Sequence, residues 1–188
     1  MVERQRRQWA TAIALGAELA AAAAKLGDPS CPFAHAITAL AELDGGVMDG
    51  WGRLEAVLRE LRQADHKGEL AYALNAAAAH HLQDGRADVA RDWTWQALVT
   101  AKAVHRWDEV AVARAQLARL ELGRNPVRAV ATIQRLTWLA SDPDRISARV
   151  VAAIEEAAST AGLPISPLIP TRVPTRMGFD RPRTVGED

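Results

Sequence analysis

Apolar positions along this chain recur with the 3.6-residue period of a helix, and polar breakers divide them into helix-length pieces. The first piece spans residues 2–26 and ends at Gly27-Asp28-Pro29-Ser30. A second runs to about Leu43 through Phe33, Ile37 and Leu40, with Asp28 or Ser30 placed to cap it. Asp44-Gly45-Gly46 stops it. A third helix begins near Asp49 and carries Trp51, Leu54, Leu58 and Leu61 on one face. After Asp65-His66-Lys67-Gly68 a fourth covers 69–83, a fifth 86–104 beyond Asp84-Gly85, and a sixth 107–122. Pro126 sits where a first helical turn tolerates proline and opens a seventh, which runs to about Ala140. The eighth occupies 144–161, with Ile146, Val150 and Ile154 spaced by four. No segment alternates β-branched and polar residues as a half-buried strand would. The expected fold is all-α, with about eight helices whose short connections make antiparallel neighbours.

Beyond Gly162 the pattern stops. Residues 163–188 hold Pro164, Pro167, Pro170, Pro174 and Pro182 with no helical period, which predicts an extended or disordered tail after a single domain of residues 1–162.

The helices repeat in pairs. Leu82-Gln83-Asp84-Gly85-Arg86 matches Leu120-Glu121-Leu122-Gly123-Arg124 at an offset of 38 residues, and Leu43-Asp44-Gly45 forms a fainter copy. At that offset Ala73 meets Ala111, Val89 meets Val127 and Leu98 meets Leu136. The unit is a helix, a glycine corner and a second helix. With Ala78, Gly85, Ala90, Ala97 and Leu98 at its small and apolar positions, the unit resembles a tetratricopeptide repeat over residues 69–140. It departs from that family in having Ala87 where an aromatic is usual and in a period of about 38 rather than about 34 residues. The resemblance implies a short right-handed α-solenoid, with residues 1–26 and 144–161 as capping helices and a curved surface of first-helix residues. It also implies contacts with proteins rather than chemistry.

Composition adds two features. Apolar residues make up 49% of the chain, and alanine dominates them, as in the runs Ala20–Ala24 and Ala76–Ala79. Alanine favours helix and lets helices approach closely. Formal net charge is zero, yet residues 28–65 carry a net of four negative charges and residues 101–139 a net of four positive ones. That asymmetry permits head-to-tail self-association or an anionic partner on the second half. A single cysteine, Cys31, excludes an internal disulfide. The apolar stretch after Trp9 is interrupted by Glu18 and none reaches the length of a membrane span, so a cytoplasmic protein without membrane contact is expected. The excess of arginine over lysine suggests GC-rich coding of a bacterial kind.

Catalytic patterns are missing: no phosphate-binding glycine loop, nucleophile elbow or His-Glu-x-x-His helix occurs. His80 and His81 point about 100° apart on a helix and cannot chelate one metal together. His81 is expected to make a local hydrogen bond, with Asp84 one turn on. No enzyme activity, metal or cofactor is expected. Of the tryptophans, Trp51, Trp93 and Trp138 suit core faces, whereas Trp95 lies about 200° from Trp93 and Trp107 opens a helix. The candidate binding surface combines Trp95 and Trp107 with Arg91, Lys102, Arg106, Arg114, Arg119, Arg124, Arg128 and Arg135. Two functions compete for it. One is a protein- or peptide-binding scaffold, which includes binding to itself. The other is a single-stranded nucleic-acid binder that stacks bases on tryptophan beside arginine.

Overall fold

In a computed structural model the chain forms eight α-helices: α1 (Val2–Lys25), α2 (Pro32–Asp44), α3 (Gly50–Gln63), α4 (Lys67–Gln83), α5 (Ala87–Ala103), α6 (Trp107–Glu121), α7 (Pro126–Leu139) and α8 (Ala148–Thr160). The structure describes residues 2–27, 31–47, 49–139 and 146–164, with side chains from residue 10 onward except those of 138 and 139. Among these residues there is no strand. The caps expected at Asp28 and Ser30, the Trp138 side chain and the tail beyond residue 164 lie outside them. α8 begins later than expected, because Ser147 has extended backbone (φ −73°, ψ 152°) and the helix can start only after it. Asn125 caps α7, its Oδ1 accepting from Arg128 N at 3.1 Å, and Pro126 takes the first helical position.

One turn recurs. A backbone N–H donates to the carbonyl five residues earlier at His66 to Leu61 (3.0 Å), Arg86 to His81 (2.8 Å) and Arg106 to Ala101 (3.0 Å). Each turn needs a left-handed residue just before the donor, supplied by Asp65 (φ 56°), Gly85 (φ 75°) and His105 (φ 55°). Gly46 and Gly162 do the same ahead of Val47 and Leu163, which donate to Glu42 (2.9 Å) and Ala158 (3.0 Å), so of these positions only Asp65 and His105 are not glycine. Asp65 and His105 carry strain on the order of 1 kcal/mol that a glycine would avoid.

The even-numbered helices form a row in which α2 touches α4, α4 touches α6 and α6 touches α8. Each odd helix packs on even neighbours: α3 on α2 and α4, α5 on α4 and α6, α7 on α6 and α8. Among the described residues the backbones of the odd helices stay apart, and α3 meets α5 only through side chains such as Arg62, which donates to Gln96 Oε1 at 3.0 Å. α4 is therefore covered on nearly every side, burying Leu70, Ala71, Ala73, Leu74, Asn75, Ala77, Ala78 and His81. Alanine makes that possible, since a larger residue at each crossing would hold the helices apart. Three apolar clusters run along the row. Leu54, Leu58, Leu61 and Leu74 centre the first, Leu98 and Val110 the second, and Ile133, Val150 and Ile154 the third.

A buried polar network crosses the row. Asn75 of α4 donates through Nδ2 to the Glu109 backbone oxygen at 3.0 Å and to Glu109 Oε2 at 2.8 Å. Gln116 Nε2 donates to the Asn75 carbonyl at 2.9 Å. Arg149 of α8 donates to the other Glu109 oxygen and to the Tyr72 carbonyl, and its guanidinium lies 4.0 Å from the Tyr72 ring centroid. Arg149 turns inward from α8, because the Glu109 carboxylate is buried and needs a cation.

Among the described residues α1 packs on α2 alone. The two meet at Gly16, where an added Cβ would fall 2.4 Å from Thr38 Oγ1, and that hydroxyl already donates to the Ala34 carbonyl at 3.0 Å. Gly16→Val is therefore expected to push α1 off α2 at a cost of about 1–3 kcal/mol. Amide exchange across residues 10–25 should accelerate while α4 stays protected; unchanged protection of α1 would count against this packing.

Candidate functional site

Because α5 and α7 do not touch, a groove of about 480 Å³ opens between them with α6 beneath it. α5 contributes Trp95, Leu98 and Lys102, and α6 contributes Arg114, Leu117, Ala118 and Glu121. α7 contributes Arg128, Thr132, Arg135 and Leu136. Apart from Thr132, the polar residues fall in pairs seven apart (Trp95 and Lys102, Arg114 and Glu121, Arg128 and Arg135), which is two helical turns, or about 10 Å of helix axis. Four cations thus surround an apolar floor with one carboxylate among them. Arg128 lies 3.9 Å from that carboxylate on Glu121. Among the described residues, no acid pairs with Lys102, Arg114 or Arg135. Trp95 stands at the rim with 58% of its surface exposed.

The corresponding gap between α3 and α5 is closed. Trp51 of α3 stacks on His81 of α4 at 4.1 Å between centroids with an interplanar angle of 13°, and Trp93 of α5 meets His81 edge-on at 5.0 Å. The 38-residue offset replaces His81 by Arg119 and Trp93 by Ala131, so the second gap lacks the aromatic filling of the first. Small and charged residues at the repeated positions leave the groove open.

His81 does not make the hydrogen bond expected of it. Both ring nitrogens are buried without a hydrogen-bond partner, and Asp84 instead lies 3.7 Å from Arg86. Burial lowers the His81 pKa below its ordinary value of 6.5, and the Arg86 guanidinium lowers it further; Asp84 and Glu55 pull it upward, and His80 pulls it down. The aromatic walls explain the missing bonds, since they occupy the directions a partner would need.

The ten residues marked in the sequence do not form one strip. Trp95, Lys102, Arg114, Arg128 and Arg135 converge on the groove. Arg119 is withdrawn from it by an ion pair to Glu156 of α8 at 2.6 Å. Arg91 and Arg124 both reach Asp88, at 3.0 and 3.7 Å, at the Gly85 end of α5. Arg106 lies against Gly68, and Trp107, 65% exposed, tilts against His105 with centroids 5.7 Å apart. These two sit at the opposite end of α5, outside the groove. The groove also lies between second helices of the repeats, whereas the sequence directed attention to a surface of first helices. Those first helices, α4 and α6, are largely buried by the flanking ones.

Sequence reasoning missed the floor. Leu98 and Leu136 were matched only as repeat positions, and both are indeed nearly buried, with Leu117 and Ala118 between them. Their exposed edges become a floor only because α5 and α7 stand apart. Among the described residues no helix is long and apolar enough to cross a membrane, and no group of three metal-ligating side chains occurs. No protein-family model, curated protein or solved structure matches the chain.

Proposed function

We propose that the chain is a non-enzymatic binding module, a short solenoid of tetratricopeptide-like hairpins that grips a protein or peptide partner in the groove between α5 and α7. The observation that carries this reading is convergence. Five side chains from three helices, Trp95, Lys102, Arg114, Arg128 and Arg135, ring one open groove with an apolar floor. Concave sites of roughly 300–1,000 Å³ with an apolar lining and a few placed charges are the usual form of a binding pocket. The even-to-even stacking of helices and the repeated turn support the solenoid.

A photo-crosslinking amino acid at Thr132, inside the groove, tests the reading against the same group at Glu60 on exposed α3. In extract from the source cell, defined protein adducts should form from position 132 and be missing from position 60. Equal labelling from both positions, or none from 132, would sink it. The exposed Trp95 beside three arginines favours single-stranded nucleic acid as a second reading. That reading expects oligonucleotide to quench Trp95 fluorescence at low salt and to be released steeply as salt rises.

A further inference from the structure

We infer that the groove between α5 and α7 takes a short, extended, acidic segment of a partner protein, its carboxylates meeting Lys102, Arg114 and Arg135 and an apolar side chain lying on the floor at Leu98, Leu117 and Leu136. This inference rests on the groove being the binding surface and names the chemistry that fills it.

Charge sets the sign of the ligand. Lys102, Arg114 and Arg135 have no acidic partner among the described residues, while Arg128 is partly engaged by Glu121. A basic segment would be repelled from three sides. The floor sets the second requirement. Leu117 and the narrow exposed edges of Leu98 and Leu136, with the Trp95 indole at the rim, present carbon to whatever enters, so a purely ionic chain such as a phosphate backbone leaves that carbon against water. An acidic segment with an apolar residue satisfies both. Spacing sets the conformation. The paired positions on each wall are about 10 Å apart, the span of three extended residues at ~3.3 Å each. Side chains of such a segment alternate in direction, which suits a groove with cations on both walls. Rim charges exchange with water and salt, so neither they nor one apolar contact holds a ligand tightly alone. The ligand needs both, which makes the groove selective for segments that combine them.

The test titrates the full chain into a fluorescein-labelled peptide of alternating glutamate and leucine, followed by anisotropy. Two further peptides carry lysine for glutamate and serine for leucine, and a labelled oligothymidylate is the fourth probe. The glutamate–leucine peptide should bind at least about tenfold more tightly than either relative, and raising salt should weaken it. Arg114→Glu with Arg135→Glu should lower its affinity by about tenfold or more; both residues are exposed, so the fold is expected to survive, and circular dichroism checks that. Thr132→Trp fills the groove without removing a charge and should also block binding. Equal binding of the lysine peptide, equal binding of the serine peptide, or tighter binding of oligothymidylate that is lost in the double variant would each overturn the inference. Absence of glutamate–leucine binding also overturns it. If crosslinking from position 132 still succeeds in that case, the groove stands as a binding surface and only its assigned chemistry falls.

Discussion

Arg149→Met is expected to lower the stability of the chain by about 2–3 kcal/mol in urea unfolding. The Glu109 carboxylate is 6% exposed and holds two partners, Arg149 from α8 and Asn75 Nδ2 from α4. Removing the cation leaves a buried anion with one neutral donor, a change that costs about 3–5 kcal/mol in fully buried pairs. The figure is reduced here because the Arg149 side chain is 29% exposed and part of its interaction is screened. The variant also loses the bond to the Tyr72 carbonyl and the contact with the Tyr72 ring. Glu109→Leu combined with Arg149→Met should recover to within about 1 kcal/mol of the parent, because no charge is then buried and Asn75 Nδ2 keeps the Glu109-position backbone oxygen at 3.0 Å. A coupling below about 0.5 kcal/mol in the double-mutant cycle would show that the pair is not held in this geometry.

That network marks the limit of what the sequence discloses. The helices were legible because each carries its own period and its own breaker, and seven of the eight lie within a few residues of the expected spans. The corners at Asp65 and His105 were read as breaks, but not as copies of the Gly85 turn, because their left-handed residues are not glycine. The Glu109–Arg149 pair spans 40 residues and two different helices, and no local pattern announces it. The same holds for the cations. The sequence grouped Arg119, Arg124, Arg128 and Arg135 into one candidate surface, but it could not show that Asp88 reaches Arg124 or that Glu156 of α8 reaches Arg119. The groove is thus what remains of a longer row of positive charge after distant acids have neutralised part of it. Its opening has a similar origin, since Trp51, His81 and Trp93 come from three helices and fill one gap that their counterparts leave empty.

Those three rings also set the response of the fold to acid. His81 is 5% exposed, stacked on Trp51 and flanked by Trp93, and both of its nitrogens lack a partner. Its folded-state pKa is lowered, first by burial and then by Arg86, with Asp84 and Glu55 opposing and His80 assisting. The unfolded chain therefore takes up a proton at this residue near pH 6.5 while the folded chain does not. Stability that is fully present above that pH falls as pH drops toward the lower folded-state value, with a slope of at most about 1.4 kcal/mol per pH unit. His81→Phe keeps a ring in the stack and removes the two unpartnered nitrogens, so at pH 7.5 it should be as stable as the parent or more so by about 1 kcal/mol. Below pH 6.5 the gap between the two proteins should widen as the parent weakens. Urea midpoints measured at several pH values decide the matter: parallel curves for the two proteins down to pH 5 would mean that His81 is protonated as readily in the fold as outside it, and that the tryptophans do not enclose it.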